Sequence, residues 1–362
     1  MTASAAVRVE RWTPGSIAAT AIGAALTVFL AVGPVFFNAN VIDRLTILFI
    51  YVILAAMWNA LAGYGGLVSV GQQAFFGLGA YAAVRLANLG LNPFLSLFAG
   101  AVMVGVVSLP ISTFMLRLKA SEFAIGMWVI AELAHLLVNL DGLINGETGT
   151  SFIELNRYDA AARHTLIYWS ALAAMVGLLG IVFMLLRSRV GVSIQAIRDN
   201  EDAAASIGVK VLITKRLVFV LAAAGAAMAG ALWVASAITF QPETYFSVQW
   251  TAYMIFMVLV GGIGTFEGAI IGAVIFFLIE TWFGAMGVWY LIGLGATALI
   301  FALFLPRGIW GSLEDRFGVR LLPVGYRLKS IGASDLTEPS GKPGSERHSV
   351  EARAAIAEPP DT

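Results

Sequence analysis

The sequence predicts an all-α polytopic membrane protein of about ten transmembrane or partly spanning helices, with a short helix on the cytoplasmic side. Three observations carry this expectation. Apolar residues make up 59% of the 362-residue chain and charged residues 12%, against roughly 45–50% and 25% in soluble domains, and the mean hydropathy is +0.86. The apolar residues fall into runs long enough to cross a hydrocarbon core of about 30 Å, which takes roughly 20 helical residues. The basic residues gather between alternate runs. With no cysteine in the chain, disulfides, thiolate metal sites and a cysteine nucleophile are excluded. Formal net charge is zero, so no bulk field points to nucleic acid, and no catalytic or metal-ligating constellation stands out.

Taken in order, Arg8 and Arg11 precede a first run, residues 17–37. It is longer than a signal-peptide core and lacks a small-x-small cleavage site, so it reads as a retained span. Residues 41–61 form a second. The next stretch, GYGGLVSVGQQAFFGLGAYAAVRLA at 63–87, is dense in glycine and carries Ser69, Gln72 and Gln73 at span depth. Unpaired amides facing lipid are costly, which points these three inward as candidates for a substrate pathway; satisfying broken backbone is the plainer alternative. Runs 93–116 and 123–140 follow. The second of these holds Glu132 and His135, three apart on one helical face. Ionisable groups inside a span are functional suspects, so Glu132 joins the pathway candidates, a simple hydrogen-bonded pair being the alternative. A polar loop at 141–164 leads into a run at 166–186.

Between the two apolar halves lies a polar island at 187–216, RSRVGVSIQAIRDNEDAAASIGVKVLITKR. Asp199 or Asn200 can cap a helix by accepting a backbone N–H, Ala203 to Ala205 favour helix, and Gly208 can take the left-handed conformation that ends one. A short helix over 201–207 is expected, its small residues allowing another protein to approach closely. Run 217–240 leads out. Run 250–260 is only about half a span and is a candidate broken or re-entrant helix. VGGIGTFEGAIIGAV follows, and apolar sequence continues to Phe283 with Glu280 inside it. Gly264, Gly268 and Gly272 recur every four residues and are expected on one helical face, packing closely. The Gly65-Gly66-Leu67 and Gly261-Gly262-Ile263 starts suggest a weak internal repeat. A last run at 288–305 ends at Pro306. This gives an N-terminal segment (1–15), a membrane domain (16–306) and a tail (307–362) whose Ser, Pro, Gly and charged residues predict large disorder.

Threading the runs with the N-terminus inside places 18 of the 22 basic residues on the cytoplasmic side, leaving Arg44, Arg85, Arg157 and Arg163 outside. Both termini and the island are then cytoplasmic, and 141–165 is periplasmic.

Three blocks taken together, LVSVGQQAFFGLGAYAA (67–83), GVSIQAIRDNEDAAASIGV (191–209) and VGGIGTFEGAIIGAV (260–274), resemble the M-type permease subunits of branched-chain amino acid ABC importers. The likeness spans roughly residues 44–306. It implies a pore shared with a second related permease subunit, two cytoplasmic ABC ATPase subunits beneath and a periplasmic solute-binding protein above, in a bacterial inner membrane. Asp202-Ala203-Ala204, three residues, then Gly208 matches the acidic-Ala-Ala-x3-Gly signature of importer permeases. The resemblance thus implies ATPase coupling through Arg198, Asn200, Glu201, Asp202, Ala203, Ala204 and Gly208. One departure is that 212–219 lacks the proline of the family's docking loop. ATP is expected on the partner subunits and no cofactor on this chain, whose one Gly-Lys pair, Gly341-Lys342, runs into Pro343 and forms no phosphate loop. Similar permeases carry urea or short amides. From other classes, an ion-coupled carrier using Glu132, His135 and Glu280, or a passive channel, is the alternative.

Overall fold

The computed structural model describes residues 7–10, 14–317 and 327–330. The chain divides into two units, one drawn from residues 1–13 and 325–362, the other from 14–324. In the first, Val7–Glu10 pairs antiparallel with Arg327–Ser330, Val7 opposite Ser330. The disorder expected beyond Ser330 concerns residues outside those described.

The second unit is a helical bundle in which, among the described residues, nine helices are long and apolar enough to cross a membrane. α1 (Pro14–Val32) lies at the rim, where Leu30 O and Ala31 O accept from Tyr168 Oη (2.7 Å) and Trp169 Nε1 (3.1 Å). α2 (Ala39–Asn59) starts at Asn38, whose side chain accepts the Val41 N–H at 3.0 Å. It is buried on every side from Phe49 to Asn59 and forms the axis of the bundle, as expected of a helix apolar all round. A wide π turn, Ala60–Tyr64, ends it. Residues 65–72 then run irregularly to α3 (Gln73–Asn88), so the glycine-rich stretch is a half-helix preceded by non-helical backbone, buried at Leu67, Ser69, Gly71 and Gln72 and exposed at Gly66 and Val68.

α4 (Pro93–Met115) opens on a proline, with Asn92 accepting the Phe94 N–H at 3.0 Å, and α5 (Ala120–Asn139) follows. α6 (Ala160–Arg187) is capped by Asp159 through the Ala161 N–H at 3.2 Å. The island holds α7 (Arg189–Asp199) and α8 (Glu201–Ser206). α9 (Val211–Ala237) begins at Val211 rather than near Leu217, so Lys215 and Arg216 are helical. Lys215 Nζ lies 2.6 Å from Glu201 Oε2, and Arg216 Nη2 donates to Thr113 Oγ1 at 3.3 Å. α10 (Pro242–Tyr245) and α11 (Gln249–Gly261) are two pieces of one interrupted span, and α12 (Phe266–Phe283) and α13 (Val288–Phe304) complete the membrane helices. α14 (Gly308–Phe317) occupies the start of the expected tail with Trp310 buried.

Glycines bring helices into backbone contact. A Cβ on Gly79 would lie 2.0 Å from Ala227 O, and one on Gly230 1.9 Å from Phe76 O, so α3 and α9 touch main chain to main chain. In lipid, where apolar association gains little from water, such contact supplies dispersion energy that larger side chains would prevent. α11 and α12 use the same device: a Cβ on Gly272 would sit 1.7 Å from Met257 O, and one on Gly261 1.9 Å from Gly268 O. Gly268 and Gly272 thus lie at main-chain contacts between α11 and α12, whereas Gly264 does not share their face. α12 begins only at Phe266, and Gly264 belongs to the turn before it with φ +73°.

The 141–159 loop is anchored by fully buried Ile144, Phe152 and Leu155, and Thr150–Ser151 pairs with Thr239–Phe240. Tyr81 Oη donates to Asp141 Oδ2 at 2.7 Å, the Leu143 N–H to Oδ1 at 3.1 Å, and Arg85 Nε lies 3.6 Å away. These contacts, the Tyr81 hydrogen bond foremost, hold the Asp141 carboxyl below its usual range. A depressed folded value means the stabilisation is present above the unfolded value of about 3.9 and is lost as pH falls through the lower folded one. The melting-temperature gap between wild type and Asp141→Asn in detergent should therefore hold steady from about pH 7 to about pH 5 and close below about pH 4. A gap that closes already near neutrality would contradict this.

Candidate functional site

Two polar constellations stand out in the bundle, one at the glycine-rich break after α2 and one on the island. At the break, the Gly66 and Leu67 N–H groups still return to Ala62 O and Leu61 O, both at 3.1 Å, and side chains help to hold the main chain beyond them. Trp58 Nε1 donates to Ser69 O at 3.0 Å, and Ser69 Oγ accepts the Gly71 N–H at 3.3 Å. Gly71 leaves no room for a Cβ, which would lie 2.0 Å from Met127 O, so the break lies directly on α5. Gln73 Oε1 accepts a hydrogen bond from Thr251 Oγ1 on α11, and the neighbouring Phe76 and Trp250 rings lie 4.2 Å apart. Ser69, Gln72 and Gln73 are all at most 1% exposed. Ser69 and Gln73 therefore satisfy protein partners. Gln72 differs: among the described residues, neither its Oε1 nor its Nε2 meets a partner. A buried amide without partners costs free energy on the scale of about 1–3 kcal/mol, so its retention calls for a reason beyond packing.

Glu132 is not brought to this cluster. Its side chain is 61% exposed on the outer face of α5 beside Val129, Leu133 and Leu136, and its contact is His135 Nδ1 at 3.5 Å. His135 in turn has Nε2 3.0 Å from Glu147 Oε1 and stacks on Phe246, while Glu147 accepts the Glu243 N–H at 3.1 Å. Glu280 is held elsewhere, accepting from Tyr51 Oη at 2.7 Å. No hydrogen bond or ion pair among the described residues links Glu280 to Glu132 or His135, so these three do not form a connected relay.

On the island, Asn200 is the cap. Its side chain accepts the Ala203 N–H at 2.9 Å, and α8 ends where Gly208, at φ +87°, lets the Gly208 and Val209 N–H groups return to Ala205 O (3.0 Å) and Ala204 O (3.1 Å). Glu201, Asp202, Ala203 and Gly208 are exposed, whereas Ala204 is buried and packs into its own chain. Ile207, absent from the residues expected to couple, is 77% exposed and caps the C-terminal end of α8, one residue past Ser206. An apolar residue inside a polar island was the available signal. Arg198 turns toward the bundle, Nη1 donating to Gly63 O at 2.9 Å. Asn59 and Thr251 were also missed; Asn59, a lone amide in an apolar run, was detectable.

The sequence profile of the family described as branched-chain amino acid transport system / permease component matches residues 40–305. The chain is similar to the high-affinity branched-chain amino acid transport system permease protein LivM of Escherichia coli (strain K12), 26% identical over 312 residues, covering 79% of this chain and 73% of the relative. LivM of Salmonella typhimurium (strain LT2) gives the same identity and coverage. A solved metal-chelate type ABC transporter in an inward-facing conformation aligns with 83% of this chain and 97% of its own at 14% identity and TM-score 0.43, too loose a likeness to carry weight. A multi-pass helical membrane chain whose profile match runs from the second span to the end of the last belongs to the branched-chain amino acid transport system / permease component family.

Proposed function

We propose that this chain is the permease subunit of an ATP-driven ABC importer for branched-chain amino acids. It works with a second related permease, two cytoplasmic ATPase subunits that hold the ATP, and a periplasmic binding protein, in a bacterial inner membrane with both termini cytoplasmic. The observation that carries the reading is α8: a helix capped at both ends that leaves Ala203 exposed, with exposed Ile207 immediately past its last residue, inside the region matching the family. Small and apolar residues on a solvated face permit close approach by another protein, and Asp202 beside them offers a charge for a basic partner residue. The substrate class follows the relatives, both permeases for branched-chain amino acids. Gln72 and Gln73 are assigned to the solute path.

Docking is tested by co-purification of the ATPase subunits. Ala203→Trp should abolish it, and Asp202→Asn should weaken solute-stimulated hydrolysis without loss of assembly. A Cβ on Gly208 would meet no atom within 4 Å, so Gly208→Val should act through the left-handed turn, about 1–2 kcal/mol of strain. Ala204→Trp should damage this chain's own packing instead. Retained co-purification and coupling in all these variants would return α8 to a connector. Sidedness has an independent test: cysteines at Ser206 and Thr150 should react with an impermeant maleimide from opposite faces, and labelling from one face would discard the threading.

A further inference from the structure

The two glycine-rich breaks, far apart in sequence, meet at one point. Asn59, at the end of α2 and 2% exposed, accepts the Gly264 N–H through Oδ1 and donates from Nδ2 to Thr265 O, both at 2.8 Å. A Cβ on Gly63 would lie 2.6 Å from Gly264 N, so the turn after α2 and the turn before α12 are in main-chain contact. The third party is Arg198 of α7. Its Nη1 donates to Gly63 O at 2.9 Å, at a helix end where carbonyls run out of helical partners and attract cations. Its stem fills the space left open by Gly66, which sits at φ +67° and would place a Cβ 3.1 Å from Arg198 Cγ. A Cβ on Gly264, φ +73°, would lie 3.3 Å from Arg198 Nη1. Asp199 Oδ1 accepts from both Nε (3.1 Å) and Nη2 (3.0 Å), fixing the guanidinium plane. One residue further on, Asn200 caps α8.

We infer that Arg198 is the positioning residue through which movement of the island reaches both helix breaks. The inference rests on the importer reading above and changes the part that Arg198 plays in it, from a contact with the ATPase to a relay inside the permease. The physical warrant is the geometry: a planar, permanently charged fork joins α7 to the turn after α2 and abuts the turn before α12, and glycines at positive φ let it approach main chain rather than side chains. A displaced α7 whose Arg198 keeps its packing on Gly66 and its bond to Gly63 O carries the turn after α2, and the Asn59 bonds to Gly264 and Thr265 pass that movement to the turn before α12.

The test uses the complete transporter in liposomes, with cysteine reporters in the two turns. The chain has no native cysteine, and Val68 and Ile263 are 48% and 38% exposed. In the wild-type background, maleimide labelling of Val68→Cys and Ile263→Cys should change on adding ATP. In Arg198→Ala the ATPase subunits should still co-purify and hydrolyse ATP, both reporters should lose their response, and solute taken up per ATP should fall about tenfold. Arg198→Lys, which keeps a donor for Gly63 O, should restore most of it. Should Arg198→Ala not be recovered folded, Arg198→Gln carries the same comparison. Intact reporter responses with wild-type uptake per ATP would overturn the relay, as would loss of the ATPase subunits, which would make Arg198 a docking contact. Failure of ATP to drive uptake or alter either reporter in the wild type would instead remove the importer reading, and the relay with it.

Discussion

Gly230→Leu is expected to prevent recovery of folded, monodisperse protein. At this position even a Cβ would sit 1.9 Å from Phe76 O, a main-chain atom that cannot rotate away, and α3 carries the reciprocal contact of Gly79 on Ala227. Overpacking typically costs about 1–3 kcal/mol where side chains can yield; here a helix must move, so the loss should reach or exceed the top of that range. The control lies in the same bundle. Gly293 on α13 has nothing within 4 Å of its would-be Cβ, and Gly293→Ala should leave the melting temperature unchanged or raise it, since alanine favours helix by about 1 kcal/mol. Equal behaviour of the two variants would show that backbone contact between α3 and α9 does not hold the bundle.

Gln72→Leu is expected to move stability and transport in opposite directions. Leucine has nearly the same volume and removes an amide that is buried with no protein partner, so the melting temperature should rise, by an amount corresponding to about 1–3 kcal/mol. If that amide serves the passing solute, uptake should fall by about tenfold or more in the same variant. Gln73→Leu should reduce uptake too, but with lower stability, because it strands the Thr251 hydroxyl. A Gln72→Leu protein that is both stabilised and fully active would assign the pathway elsewhere.

These expectations were unequally legible in the sequence. α8 was readable because its signals are local: an amide cap at Asn200, an alanine run, and a glycine at Gly208 all act within one helical turn of the groups they serve. The departure from plain helix after α2 was readable too, since glycine density and polar side chains at span depth rarely suit a lipid-facing helix. Gly264 was misread because a spacing of four is ambiguous: it marks a helical face only if the helix has already begun, and Gly264 precedes it. The start of α9 was hidden by Lys215 and Arg216, which look like loop residues until their partners Glu201 and Thr113 are seen. The meeting of Asn59 with Gly264 and Thr265, and of Arg198 with Gly63, depends on how distant turns converge, which no local pattern encodes. Glu132 shows the reverse failure. Its depth in the run was legible, but the face it occupies was not.

The most direct test of the central claim is leucine uptake in proteoliposomes containing this chain, the second permease and the ATPase subunits, with the binding protein outside and ATP inside. Uptake should require ATP and every one of those components, fall to background with Ala203→Trp, and be absent for this chain alone under an imposed proton gradient. Leucine accumulation by this chain alone, driven by the proton gradient without ATP, would contradict the account.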